Sequence, residues 1–208
     1  MLFDTLALIS LIVFITLLKR FVNIFPSLMA CFIRSKESIN LEASVKLSHD
    51  RDIQAFALLI PFILIVTQFR LYDPSFMHGL TENARIGINS AVFLAYILLR
   101  GATSHLFRPG RINPKTYSAA RKSAYSFFII LTIVLIATGG TLSFFDLDPA
   151  GIKTAMIWIS IGIYLIFIIR KFQIFTSSCS IFTAFLYLCA LELIPTGILT
   201  ASAVIFKG

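Results

Sequence analysis

The feature that most constrains this chain is an apolar run from Ile181 to Phe206 that carries one carboxylate, Glu192, near its middle. A helix needs roughly 20 residues to cross a hydrocarbon core about 30 Å thick, so the run is long enough to span a membrane. Lipid cannot solvate an ionised carboxylate at that depth. We therefore expect Glu192 to face protein, to contact a cation or a hydrogen-bond donor, or to stay protonated.

The residues around Glu192 predict a bent helix with a polar face. Pro195 has no N–H and cannot bond the carbonyl of Leu191, so it favours a kink at this point. Cys189 and Thr196 lie three residues before and four residues after Glu192, and helical spacing places them on the same face. Whatever packs against this face is expected to meet the polar centre of the molecule.

Composition indicates that the whole chain is a membrane protein. Of its 208 residues, 58% are hydrophobic and only 13% are charged, whereas soluble domains carry about 25% charged residues. A water-soluble fold of this size could not bury so much apolar surface. We expect a single membrane domain over residues 1–208, built as an all-α polytopic bundle.

Six apolar runs have spanning or near-spanning length. They cover residues of about 2–18, 53–69, 86–107, 123–145, 154–169 and 181–206. A further apolar patch, residues 21–33, is interrupted by Asn23, Pro26 and Ser27, and we expect it to lie in the membrane interface. Residues 38–47 have the pattern of a short amphipathic helix.

The basic residues predict an orientation. Fourteen of the 18 lysine and arginine residues fall between an odd-numbered span and the next even-numbered one, when Arg100 near the inner end of the third span is included. Because such residues concentrate on the cytoplasmic side, we expect cytoplasmic loops at 19–52, 108–122 and 170–180 and both termini outside. This distribution accounts for the net charge of +8 without a nucleic-acid partner. Five residues of the second loop are expected to contact lipid headgroups or a partner protein, namely Arg108, Arg111, Lys115, Arg121 and Lys122.

The closing segment Phe185–Leu199, FLYLCALELIPTGIL, resembles the C-terminal signature of an uncharacterised family of bacterial inner-membrane proteins of the Bacteroidota, a domain of unknown function. The matching residues are Tyr187, Leu188, Cys189, Ala190, Glu192 and Pro195. The order of the spans and the stretch Ser123–Ile133 are also similar. The resemblance implies a multi-span helical protein with no assigned chemistry, and it adds Tyr187 to the packing positions expected around Glu192.

Three interpretations of Glu192 are open. It pairs with a basic or hydroxyl group and fixes helix packing or a partner subunit, it is the proton or cation site of a small carrier, or it stays protonated in apolar surroundings. Arg100 is the favoured partner, because the helical rise places Arg100 and Glu192 about 21 Å and about 20 Å from the outer ends of their spans. Alternatively, Arg100 extends its side chain to the cytoplasmic headgroups.

The sequence shows no motif for catalysis, for a metal or for a cofactor. It has no Ser-His-Asp set, paired-carboxylate site or phosphate-binding glycine loop, and Cys31, Cys179 and Cys189 lack metal-ligand and disulfide spacing. We therefore expect a non-enzymatic protein with no cofactor and no identified small-molecule substrate. The leading hypothesis is a subunit or accessory of a larger inner-membrane assembly, in protein secretion or envelope biogenesis, with lipids and other integral subunits as partners. The alternative is a small proton- or cation-coupled transporter or channel that uses Glu192.

Overall fold

The computed structural model describes residues 2–106, 114–145 and 147–205, and the regular secondary structure within these ranges is entirely helical. The all-α prediction is confirmed for these residues. The helices are α1 (Leu2–Ile33), α2 (Ser35–Ala43), α3 (Val45–Ala57), α4 (Leu59–Gln68), α5 (Glu82–Leu106), α6 (Pro114–Phe144), α7 (Pro149–Thr176), α8 (Ile181–Leu188) and α9 (Ile194–Ile205), with a 3₁₀ turn at Ser75–Met77 and a π turn at Cys189–Leu193.

Among the residues that the structure describes, five segments are long and apolar enough to cross a membrane: α1, α5, α6, α7 and the combined segment Ile181–Ile205. They match five of the six predicted runs, although Phe145 follows the end of α6, and Phe107 and Phe206, at the ends of two other runs, lie outside the described residues. The sixth run, 53–69, is divided between the end of α3 and α4. Pro61 explains the division, because it cannot bond the carbonyl of Ala57 and its ring crowds that carbonyl.

α1 is a single helix through residues 21–33, so this stretch continues the helix of the first predicted span, and its place in the membrane interface stays a prediction. Pro26 removes one backbone hydrogen bond, which a membrane helix tolerates when its neighbours supply the packing. That packing is present, since Ile24 and Leu28 on either side of Pro26 are buried in a core cluster with residues of α3 and α6.

The predicted loops 19–52 and 170–180 are largely helical. The predicted helix over 38–47 has the wrong bounds, because Ser44 is extended, ends α2, and caps α3 by accepting a hydrogen bond from the N–H of Leu47. α7 continues past its two basic residues to Thr176. The pair Arg170 and Lys171 therefore marks neither the end of α7 nor the start of a loop.

Segments rich in basic residues meet at one end of the bundle, which we call the basic end. Lys122, near the start of α6, forms an ion pair with Glu42 of α2. Arg170, near the end of α7, donates a hydrogen bond to the carbonyl of Phe32 at the end of α1. The described parts of the three connections that were predicted to be cytoplasmic therefore lie together.

The opposite end of the bundle is formed by the α4–α5 connection, the end of α6, the start of α7 and the end of α9. Tyr72 and Ser202 share a hydrogen bond between their hydroxyl groups at 3.1 Å. Gly139 of α6 lies where Met156 and Phe69 pack, and a Cβ at this glycine would lie 2.6 Å from the Met156 Cε. The glycine therefore permits close packing of α6, α7 and the end of α4.

α6 is the central helix, since it contacts α1, α2, α3, α4 and α7. α5 packs instead against α4 and against the carboxyl-terminal segment. Residues of both α5 and α6 line a cavity, and the candidate site lies in its wall.

Candidate functional site

The carboxyl-terminal span is interrupted at the position of its carboxylate. The backbone N–H of Ile194 donates to the carbonyl of Cys189, five residues earlier, and residues Cys189–Leu193 form a π turn. Pro195 lies two residues beyond this turn and supplies no N–H to the carbonyl of Leu191. The predicted disturbance of the helix is thus present as a π turn, a feature that is frequent at functional sites.

Two cations bind the carboxylate of Glu192. Arg100 donates to Oε1 of Glu192 from Nε at 3.1 Å and from Nη2 at 2.6 Å. Lys171 donates from Nζ to the same oxygen. The side chains of Glu192 and Lys171 are only 1% and 2% exposed, whereas that of Arg100 is 20% exposed. The predicted partner of Glu192 is therefore present, and a second cation accompanies it.

Lys171 is the site residue that sequence reasoning missed. Its position in a basic pair at the end of an apolar run led to its assignment as a loop charge. A signal was nevertheless available, because Phe172, Ile174 and Phe175 continue the apolar pattern after it. In the structure, Nζ of Lys171 lies 5.6 Å and 5.9 Å from the ring centroids of Phe167 and Phe175, where the aromatic faces attract a cation.

Two tyrosines fix the backbone around Glu192. The hydroxyl of Tyr164 donates to the carbonyl of Glu192 at 3.4 Å, and the hydroxyl of Tyr96 shares a hydrogen bond with that of Thr196 at 3.4 Å. The π turn is thereby connected to α7 and the start of α9 to α5. Thr196, predicted from its spacing, belongs to this arrangement.

The other predicted packing residues lie near the site without touching the carboxylate. Tyr187 packs against Phe175, with ring centroids 6.1 Å apart. Cys189 is a partly buried free thiol at the start of the π turn, and Pro195 is buried. These residues shape the segment that carries Glu192 and contribute no hydrogen bond to its side chain among those described.

The residues predicted to contact headgroups or a partner fall into three groups. Arg108 and Arg111 lie outside the described residues. Lys122 forms ion pairs with Glu42 at 3.1 Å and with Asp52 at 3.3 Å, so carboxylates of the same chain compensate its charge. Lys115 and Arg121 are exposed at the basic end, where they remain candidates for the predicted contact.

A second charged cluster at the basic end surrounds Glu42. Arg51, which is 1% exposed, pairs with Glu42 at 3.0 Å and with Asp52 at 2.7 Å. Burial raises the pKa of Glu42, but hydrogen bonds from Ser118, Arg51 and Lys122 outweigh burial and hold this pKa below its ordinary value. The cluster joins α2, α3 and α6.

A cavity of about 760 Å³ lies beside Glu192. Arg100, Lys171 and Glu192 form part of its wall, and Asp52 and Arg121 line it toward the basic end. Much of the remaining wall is aromatic and includes Phe56, Phe62, Phe93, Phe127, Phe128 and Phe167. A set of three or more metal-ligating side chains does not occur among the described residues.

Comparison with known proteins identifies a family. No curated protein and no solved structure matches this chain significantly. A family model matches residues 5–202, a range that includes all three charged residues of the site and nearly the whole chain. The chain therefore belongs to the family described as Domain of unknown function (DUF4271).

Proposed function

We propose that this protein is a non-enzymatic, multi-pass component of the bacterial inner membrane and acts as a subunit or accessory of a larger assembly in protein secretion or envelope biogenesis. The observation that carries the proposal is the pairing of Glu192. Arg100 and Lys171 bind one carboxylate oxygen from two different helices. This pairing connects three membrane segments and supports a structural role, whereas a carrier would need to release the carboxylate during each cycle.

Six crossings, with the basic end in the cytoplasm and both termini outside, complete the proposed arrangement. α3 begins at the basic end, and α4 ends where Phe69 packs near Met156 at the opposite end. Residues 45–52 carry Lys46, Asp50, Arg51 and Asp52 and belong to the proposed cytoplasmic side, so the crossing itself is left to residues 53–68. As continuous helix these would extend about 24 Å, at the short end of what crosses a hydrocarbon core about 30 Å thick, and the charge distribution supports the orientation.

The lateral surface of α1 is the place we assign to a partner subunit. Only 6% of the most apolar stretch of α1 is buried within the chain, against 33% for α6. Leu8, Leu11 and Ile15 are 61%, 57% and 60% exposed. Helices associate in lipid through van der Waals packing of their lateral surfaces, and this face, which the chain itself leaves uncovered, has room for a transmembrane helix of another protein.

Co-purification tests this proposal. The wild-type protein, purified from its native membrane in mild detergent, should carry a reproducible set of integral membrane proteins that mass spectrometry identifies. Leu11→Trp on α1 should reduce their yield, whereas Leu165→Trp on α7, at a side chain that is 55% exposed, should not. Retention of every partner in the Leu11→Trp variant would contradict the assignment to α1, and reproducible purification without integral partners would contradict the subunit role.

A carrier is the second candidate, and one observation favours it. Oε2 of Glu192 is buried and accepts no hydrogen bond from the described residues, and the residue lines the cavity. The double variant Glu192→Gln with Lys171→Met keeps the net charge of the site. Loss of proton- or cation-coupled flux in liposomes for this variant, with its fold unchanged, would support the carrier over the structural role.

A further inference from the structure

The site formed by Arg100, Lys171 and Glu192 carries one more positive charge than negative charge. Arg100 and Lys171 each bring a positive charge, and Glu192 brings one negative charge. Asp52, the other carboxylate among the described residues of the cavity wall, already pairs with Arg51 at 2.7 Å. An uncompensated cation in a low-dielectric interior is costly. An anion that entered the cavity would complete the charge balance.

The cavity offers such an anion a route lined by two arginines. Arg100 is the accessible member of the charged site, since its side chain is 20% exposed while those of Lys171 and Glu192 are almost fully buried. Arg121 lines the same cavity at the basic end, is exposed, and forms no ion pair with any described residue. Arginine binds phosphate groups through its planar set of donors.

The rest of the wall suits an acyl chain. Phenylalanines from α4, α5 and α6 line it, including Phe62, Phe93 and Phe128. Phe56 of α3 and Leu94 of α5 also line the cavity and are 77% and 57% exposed. The cavity therefore has an exposed apolar rim at α3 and α5.

We propose that this cavity binds an anionic phospholipid. Its phosphate contacts Arg121 and Arg100, and one acyl chain lies against the phenylalanine wall. A volume of about 760 Å³ is typical of a small-molecule site, so the second acyl chain stays in the bilayer through the opening between Phe56 and Leu94. This site goes beyond the proposed assembly role and does not depend on it.

Native mass spectrometry of the full-length protein in mild detergent tests the headgroup contact. Phosphatidylglycerol should bind more tightly than phosphatidylcholine with the same acyl chains, because only the former carries a net negative charge. Arg121→Gln should weaken phosphatidylglycerol binding about fivefold, the contribution of one basic residue near an anionic surface. Arg34→Gln, at an exposed arginine that is outside the cavity wall, is the matched control and should leave binding unchanged.

A glycine on the cavity wall tests the acyl-chain contact. A Cβ at Gly101 would meet no atom within 4 Å, so Gly101→Leu should occupy the cavity without disturbing the fold. We expect phosphatidylglycerol binding to fall about tenfold or more, because several buried CH₂ groups lose their site. Gly87→Leu on the same helix is the control, since Gly87 also meets no atom within 4 Å and does not line the cavity.

Three results would overturn the proposal. Equal binding of phosphatidylglycerol and phosphatidylcholine would show that the cavity does not select an anionic headgroup. Unchanged binding in both Arg121→Gln and Gly101→Leu would place the lipid elsewhere on the protein. Inorganic phosphate that protects the protein against heat as well as phosphatidylglycerol does, with this protection lost in Arg121→Gln, would identify a site for a small anion in place of a lipid.

Discussion

Glu192 is the residue whose loss should matter most, because its carboxylate pairs with two buried or half-buried cations. Glu192→Gln leaves Arg100 and Lys171 without an anion, and removal of one partner from a buried ion pair costs about 3–5 kcal/mol. Lys171→Met keeps the pair between Arg100 and Glu192, so its cost should be smaller. Unfolding by SDS in mixed micelles, followed by circular dichroism, measures both free energies of unfolding.

The double variant separates charge from packing at this site. If repulsion between the two cations causes the loss in Glu192→Gln, the added Lys171→Met substitution should recover part of the free energy of unfolding. A double variant that is less stable than Glu192→Gln alone would show that the loss arises from packing, and would remove the ion-pair explanation.

Glu42 should make the protein sensitive to acid. The pKa of Glu42 lies below its ordinary value of 4.5 because of its bonds to Ser118, Arg51 and Lys122, despite the opposing effect of burial. A carboxyl group with a lowered pKa stabilises the folded state above its ordinary pKa, and this stabilisation is lost as the pH falls through the lower folded value. We expect the melting temperature to fall as the pH is lowered below about 4.5.

The Glu42→Gln variant checks the origin of this acid sensitivity. It should melt at a lower temperature than the wild type at pH 7 and should lose less stability between pH 5 and pH 3. Glu82→Gln, at an exposed residue at the start of α5, is the control and should keep the wild-type dependence. A Glu42→Gln curve parallel to that of the wild type over this range would contradict the assignment.

At the scale of whole elements, one glycine lies at the close approach of α6 to α7 and the end of α4. A Cβ at Gly139 would lie 2.6 Å from the Met156 Cε and 3.0 Å from a Phe69 ring carbon. Met156 is fully buried, so its terminal methyl group would have to shift among packed neighbours. Gly139→Ala should therefore destabilise the protein by about 1–3 kcal/mol, as overpacking does.

The neighbouring glycine provides a matched control for this prediction. A Cβ at Gly140 would meet no atom within 4 Å, so Gly140→Ala should be neutral or slightly stabilising, as expected when alanine replaces glycine in a helix. Thermal melting in the same detergent compares the two variants. The prediction fails if Gly139→Ala melts at or above the temperature of Gly140→Ala.

The elements differ in how far the sequence could predict them. Long apolar runs mark α5, α6 and α7, because lipid demands a continuous apolar surface of known length. The pair of Arg100 and Glu192 follows from matching depths in two spans. Lys171 was missed because hydropathy treats a charge after an apolar run as the end of a span, whereas aromatic neighbours and a carboxylate from another segment hold it inside the protein.

The α3–α4 region shows why other features could not be predicted. Its break follows from Pro61, which is visible in the sequence, but the helical state of residues 45–57 depends on contacts with distant segments. Arg51 forms an ion pair with Glu42 of α2, and Gln54 donates a hydrogen bond at 2.8 Å to the carbonyl of Leu17 in α1. Such long-range partners stabilise buried polar side chains, and local periodicity carries no information about them.

For the whole molecule, the number of crossings depends on the α3–α4 pair. If this pair crosses the membrane, Lys36 and Asn83 lie on opposite sides, whereas they lie on the same side if it does not. Asn83 and Ala150 lie on one side in either case, because α5 and α6 both cross between them. The relative accessibility of positions 36 and 83 therefore distinguishes six crossings from five.

Single cysteines measure this accessibility. Lys36→Cys, Asn83→Cys and Ala150→Cys replace exposed residues, each in a background without Cys31, Cys179 and Cys189. In intact spheroplasts, a membrane-impermeant maleimide should label positions 83 and 150, and should label position 36 only after the inner membrane is broken. Labelling of position 36 together with position 83 before lysis would mean that α3 and α4 do not cross. The buried Arg51 and Gln54 would then lie in a domain at the membrane surface, and the proposed orientation of the basic end would be wrong.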